Sequence, residues 1–355
     1  MKVLISGYYG CGNIGDEAVL EAILKGLRQR APGLGLTVLS AQPELTSMFN
    51  EVKAVRRSGL FGVLRALDEA DILISGGGSL FQDKTSARSF LYYIGLVGLA
   101  KLFGKKVMIF GQGFGPLRGR LNRAIARAVV EKVDLITLRD EDSLNEIRRL
   151  GVKNGNIHVT ADPTFILGEG DKEQGRKVLA LEHVPAGKAL LGVAVRQSID
   201  TGRLAEQLDI ICEKYKLAPV FLPFHFPEDL GESRKVIEQM RTKSQVVFRS
   251  CGPEEMRGIF PHLELLIGLR LHGLIFAAAN KVPMVGISYD PKVASFMRSI
   301  GQPCLELTEV DQLGKQLAAV LADKEQIKAE LAAAAGNLYN KAKLNFDLFF
   351  ERFGQ

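Results

Sequence analysis

Short apolar runs rich in Val and Ile recur from the start of the chain, each followed by glycine and then by a stretch whose apolar residues are spaced three and four apart. Residues 3–6, 36–40, 71–75, 106–111, 135–138 and 158–160 read as strands. Residues 16–30 and 121–132 read as helices between them. Strands alternating with helices imply βαβ units and a parallel sheet. Residues 168–188, rich in Gly, Glu and Lys, read as a connecting region. A second series follows at 190–195, 219–222, 244–248, 265–268 and 284–287. The expected architecture is α/β: two Rossmann-like doubly wound domains facing each other, over residues 1–167 and 168–335. An Ala-rich terminal segment, 324–353, reads as helical. Residues 336–355, with Phe346, Leu348, Phe349, Phe350 and Phe353, are expected to pack back on the domains.

Composition narrows the class. The 355 residues are 46% apolar and 24% charged, which excludes disordered and fibrous chains. The best apolar run, residues 90–100, falls short of the ~20 residues that a spanning helix needs. The first strand reaches Gly7 too early for a signal peptide, so a cytoplasmic location is the expectation. The four cysteines have neither disulfide-framework nor zinc-ligand spacing. The net charge of +6 lies wholly in residues 1–167, and residues 168–355 are neutral overall. Its densest cluster is Arg118, Arg120, Arg123 and Arg127, which fits either a solvated helix or a patch for phosphates or anionic lipid. No aromatic residues interleave with these arginines, which argues against nucleic acid.

In doubly wound sheets ligands sit beyond the carboxyl ends of the strands. After the first strand comes Gly10-Cys11-Gly12-Asn13-Ile14-Gly15, a literal GxGxxG. It starts late, and the second strand lacks the ribose-binding acid, so a dinucleotide is disfavoured. Asp16 and Glu17 open the next helix and fit either capping or proton transfer. Two further glycine loops, Gly76-Gly77-Gly78-Ser79 and Gly111-Gln112-Gly113, share this rim. Asn13, Ser79, Gln82 and Gln112 suit a hydroxyl-rich ligand, with Gly12, Gly78 and Gly113 admitting it closely.

The second series carries the sharpest constellation. Gly268-Leu269-Arg270-Leu271-His272-Gly273 turns from a strand into a helix of small residues, placing an arginine and a histidine at a helix amino terminus. That is an anion site with a titratable group. Arg139 and Lys292, each just after a strand, are further candidate cations, and Arg196 is a third; the remaining histidines read as structural.

Taken together, Gly12-Asn13-Ile14-Gly15-Asp16-Glu17, Gly76-Gly77-Gly78, Gly111-Gln112-Gly113, Leu138-Arg139-Asp140, Asp162-Pro163 and Arg270-Leu271-His272-Gly273 resemble the polysaccharide pyruvyl transferases. The bacterial cell-wall type, which prepares glycans for surface-layer attachment, is the most similar. The resemblance implies a GT-B-like fold, phosphoenolpyruvate as donor and a 4,6-linked pyruvate ketal on N-acetylmannosamine as product. It further implies that Arg270, Leu271, His272 and Arg139 engage the donor. Lys292 would share the donor's charge, His272 would protonate it, and Asp16 or Glu17 would accept the hydroxyl proton; no metal or cofactor is called for. A lipid-linked acceptor at the inner membrane face would give the Arg118–Arg127 cluster its anion. The rival reading is a nucleotide-sugar glycosyltransferase, disfavoured because no acid follows His272 before Pro283 to hold a ribose. A non-catalytic glycan- or lipid-binding module would leave Arg270-Leu271-His272 without a purpose.

Overall fold

The computed structural model describes residues 1–84 and 86–354. The chain forms two compact units, Met1–Ile166 joined by the chain from Leu338 onward, and Leu167–Asn337. The first holds a parallel seven-stranded sheet of order β3-β2-β1-β4-β5-β6-β7. Its strands are β1 (Lys2–Ser6), β2 (Gly35–Ser40), β3 (Lys53–Arg56), β4 (Ile72–Gly76), β5 (Lys106–Gln112), β6 (Leu135–Leu138) and β7 (Ile157–Val159). Alternation along β1 sends Val3 and Ile5 into one core and Leu4 into the other, so helices cover both faces. Strand order reverses beside β1 and β4, the position where such sheets open for ligands.

The second unit holds a six-stranded parallel sheet, β10-β9-β8-β11-β12-β13. Its strands are β8 (Leu190–Ala194), β9 (Ala218–Phe221), β10 (Gln245–Val246), β11 (Leu263–Gly268), β12 (Met284–Ser288) and β13 (Cys304–Glu306). β3 and β13 lie at sheet edges and were not expected from the sequence. Short and half exposed, they carry no apolar run to announce them.

Residues 168–188 are more than a connection. They contain the helix Lys172–Leu181, docked on the helix Pro253–Ile259 by backbone contact. A Cβ on Gly175 would stand 1.7 Å from the Gly258 carbonyl oxygen, so only glycine permits this approach.

The last helix runs Lys324–Phe353. In the first unit, Phe346 meets Phe110 edge-on at 4.9 Å and fills the space above Gly26, where a Cβ would lie 2.2 Å from the ring. Buried Asn345 secures it by donating to the Ala161 carbonyl at 3.1 Å. Among the described residues no helix is long and apolar enough to cross a membrane.

Candidate active site

In the second unit Arg270 closes the turn after β11 and is the N-cap of the helix Leu271–Ala279, with no side chain capping that helix. The amides of its first turn therefore remain available to an anion. His272 lies half buried in that turn. Arg270 itself is already partnered. Its Nε donates to Asp229 Oδ2 at 2.8 Å and its Nη2 to Asp229 Oδ1, a bidentate pair with a carboxylate only 1% exposed. Asp229 also accepts the backbone N–H groups of Phe224 at 3.1 Å and His225 at 2.9 Å. Arg270 is thus an oriented cation whose charge is largely compensated, with Nη1 left to donate.

Two other cations on this rim carry no ion pair among the described residues. Lys292 follows β12 in the first turn of the helix Pro291–Ser299, capped by Asp290. Arg196 follows β8 and stacks on Tyr289 at 4.1 Å. Among the described residues Lys292 and Arg196 thus bring charge without an ion pair, and Arg270 brings fixed geometry. His225 is also more than a lone structural histidine, since its Nδ1 lies 3.5 Å from Glu228 beside Asp229. Asp229 was not expected from the sequence; it stands in the first turn of the helix Glu228–Ile237 that follows β9, and its place beyond a strand's carboxyl end was the available signal.

In the first unit the glycine loops draw protein side chains together. A Cβ on Gly78 would stand 2.7 Å from Asp16 Oδ1. A Cβ on Gly113 would stand 2.8 Å from Arg139 Nη2 and 2.9 Å from Ser79 Oγ. Arg139 donates from Nη2 to Ser79 at 2.9 Å, from Nη1 to Asp162 at 3.3 Å and from Nε to Asp140 at 3.3 Å. Its side chain is 6% exposed and neutralised by two carboxylates, so it shapes the rim rather than offering free charge to a donor. Gln112 is fully buried, its Oε1 accepting from Ser75 at 3.3 Å, and its amide is closed off from solvent-borne hydroxyls. Asn13 uses its Oδ1 to cap the first helix through Gly15 N–H at 3.0 Å, leaving its amide donors. Gly12 is exposed with φ +74°, and Ser79 and Gln82 are half buried.

Glu17 faces inward. Gly10 N–H donates to its Oε1 at 2.7 Å, and burial pushes the carboxyl up from 4.5 to about 7. It anchors the glycine loop, while half-buried Asp16 stands against Gly78.

A family model described as polysaccharide pyruvyl transferase matches residues 13–291, from the cap of the first helix to the loop after β12. The chain belongs to the polysaccharide pyruvyl transferase family. It is a transferase. A relative, the amylovoran biosynthesis protein AmsJ of Erwinia amylovora, is 23% identical over 94% of this chain and 95% of its own. Among solved structures, Anabaena HepE in complex with UDP-glucose superposes with TM-score 0.66 at 13% identity, covering 99% of this chain and 97% of that one. UDP-GlcNAc 2-epimerase from Neisseria meningitidis gives 0.67 at 10% identity, covering 99% and 100%. These likenesses establish the fold as two parallel-sheet α/β domains, which the sequence pattern implied, of the GT-B kind, which the family resemblance implied.

Within this pyruvyl transferase the arginine cluster divides. Arg118 and Arg120 are exposed at the start of the helix Arg120–Val130, on the rim side. Arg123 and Arg127 point toward its other end, where Arg123 Nη2 donates to the Arg149 carbonyl at 3.4 Å and Arg127 lies against Gly151. With Lys132 and Lys153 they line a groove of about 650 Å³ beside two helix carboxyl ends. Cations there answer exposed carbonyls and the negative end of the dipole. Proximity in sequence joined four residues that the fold assigns to opposite ends of the sheet.

Proposed function

We propose that this transferase moves pyruvate from phosphoenolpyruvate to a hexosamine of a cell-wall polysaccharide precursor, N-acetylmannosamine in a surface-layer glycan, forming a 4,6-ketal. The observation that carries this reading is the rim of the second unit, where Arg270 is held by Asp229 beside His272 and an uncapped helix, flanked by Lys292 and Arg196 without counter-charge. Phosphoenolpyruvate is small and bears a phosphate and a carboxylate, so it needs several cations rather than a large pocket. Each charge-assisted hydrogen bond contributes about 1.5–3 kcal/mol.

In this reading Arg270 Nη1 and the helix amides hold one anionic group, and Lys292, aided by Arg196, holds the other. His272 gives a proton to C3 of the enol, and C2 becomes electrophilic. The first sugar hydroxyl adds to C2 and loses its proton to a carboxylate at the start of the first helix, Asp16, whose Oδ1 stands against Gly78, or Glu17. The second hydroxyl closes the ring on C2 as the C2–O bond to phosphate breaks, its proton passing to the departing phosphate, which leaves as inorganic phosphate. Gly12, Asn13, Gly78, Ser79 and Gln82 border the acceptor. Phosphoenolpyruvate is a co-substrate, and no cofactor enters the scheme. A lipid-linked acceptor places the protein in the cytoplasm, peripheral at the inner membrane face.

The test is incubation with phosphoenolpyruvate and a lipid-linked ManNAc-GlcNAc diphosphate, reading product mass and phosphate release. Absence of both products refutes the reading. Thermal stabilisation by a UDP-sugar and none by phosphoenolpyruvate would favour a glycosyltransferase instead.

A further inference from the structure

Arg57 follows β3 at the carboxyl rim of the first sheet, its N–H bonded to the Ser40 carbonyl at 2.8 Å. Its guanidinium lies over three rings, Tyr8 at 5.7 Å, Tyr92 at 5.0 Å and Tyr93 at 5.3 Å. Nη1 donates to Cys11 Sγ at 3.5 Å. The clamp is itself braced. The Tyr92 hydroxyl donates to the Arg57 carbonyl at 3.0 Å and the Tyr93 hydroxyl to the Gly7 carbonyl at 3.1 Å.

No carboxylate forms an ion pair with Arg57 among the described residues, whereas Arg139 and Arg270 both have one. Burial raises the Cys11 thiol and the Tyr8, Tyr92 and Tyr93 phenols above their ordinary values, so these neighbours are neutral at pH 7. A half-buried guanidinium is therefore held rigidly at the ligand rim with its charge unanswered. Stacking uses the face of the group, and its in-plane N–H groups meet only neutral acceptors, Cys11 Sγ and the Tyr92 and Tyr93 hydroxyls, over which a charged oxyanion is the stronger partner. Asp16, one of the carboxylates assigned to the acceptor hydroxyl, acts on Tyr8, Tyr93 and Cys11 as well. The vacant cation thus belongs to the acceptor's neighbourhood.

We propose that Arg57, clamped by Tyr8, Tyr92 and Tyr93, binds a phosphate of a sugar diphosphate and so selects diphosphate-linked over uncharged acceptors. The proposal rests on the transfer reaction above and deepens it by assigning the acceptor's anion. It also moves that role away from Arg123 and Arg127.

Arg57→Gln and Arg57→Lys are compared with the wild type on one disaccharide presented as an alkyl diphosphate and as a neutral alkyl glycoside, with inorganic pyrophosphate titrated calorimetrically. Arg57→Gln should raise KM for the diphosphate acceptor about ten- to hundredfold. KM for the neutral glycoside and for phosphoenolpyruvate should stay within about twofold, pyrophosphate binding should be lost, and Arg57→Lys should recover part of it. An equal KM rise for both acceptors, a raised KM for phosphoenolpyruvate, or undiminished pyrophosphate binding overturns the proposal. So does the same selectivity loss from Arg118→Gln or Arg120→Gln with Arg57→Gln silent. If the wild type turns over neither acceptor, the transfer reaction is what fails, and the pyrophosphate titration still decides Arg57.

Discussion

Replacing Glu17 with Gln removes one ionisation while keeping an oxygen for the Gly10 N–H, which donates at 2.7 Å. Burial lifts this carboxyl from 4.5 to about 7, so between those values the folded state holds a proton that the unfolded chain has released. Stability contributed by the protonated form is complete below the lower value and is lost as pH rises through the upper one. Linkage gives a wild-type penalty of about 1 kcal/mol at pH 5 and about 3 kcal/mol at pH 8. Glu17→Gln escapes it, and its advantage should grow by about 2–3 kcal/mol across that interval. In a unit of this size about 1 kcal/mol moves the midpoint by about 2–4 °C, so the gap in Tm should widen by about 5–10 °C. Differential scanning calorimetry of both proteins at pH 5, 6, 7 and 8 measures it. A gap that stays constant with pH would refute the burial argument, and a gap that narrows would reverse its sign.

Asp229→Ala leaves the Arg270 charge and two backbone N–H groups without their acceptor in a site where Asp229 is 1% exposed, and should cost about 3–5 kcal/mol; an unchanged urea midpoint would show the pair to be dispensable. His272→Ala should lower kcat about 10²–10⁴-fold with little change in donor affinity, read from phosphate release against its binding isotherm. Lys292→Ala should raise KM for phosphoenolpyruvate at least about tenfold, more than Arg196→Ala does; the opposite order would exchange their roles. Gly113→Ala puts a methyl group 2.8 Å from Arg139 Nη2 and should reduce turnover while circular dichroism stays native, whereas full activity would mean the Arg139–Ser79 contact is not needed.

Sequence pattern alone carried the architecture because each parallel strand is buried on both faces and reads as a continuous apolar run ending in glycine. The strands around β1, β4 and β11 could be read this way; edge strands β3 and β13, with little burial, could not. The Arg270–His272 turn was equally legible, since a strand-to-helix junction and its chemistry are contiguous in the chain. Counter-charge is a different matter. Whether an arginine is free or spent depends on acids distant in sequence, 41 residues away for Arg270–Asp229 and 23 for Arg139–Asp162. It took the tertiary structure to show that Arg139 and Arg270 are paired with carboxylates while, among the described residues, Arg57, Arg196 and Lys292 form no ion pair, and that the first-domain arginine cluster divides between the two ends of a sheet. Local pattern specifies which groups a protein carries to its rim; long-range packing decides which of their charges remain for a ligand.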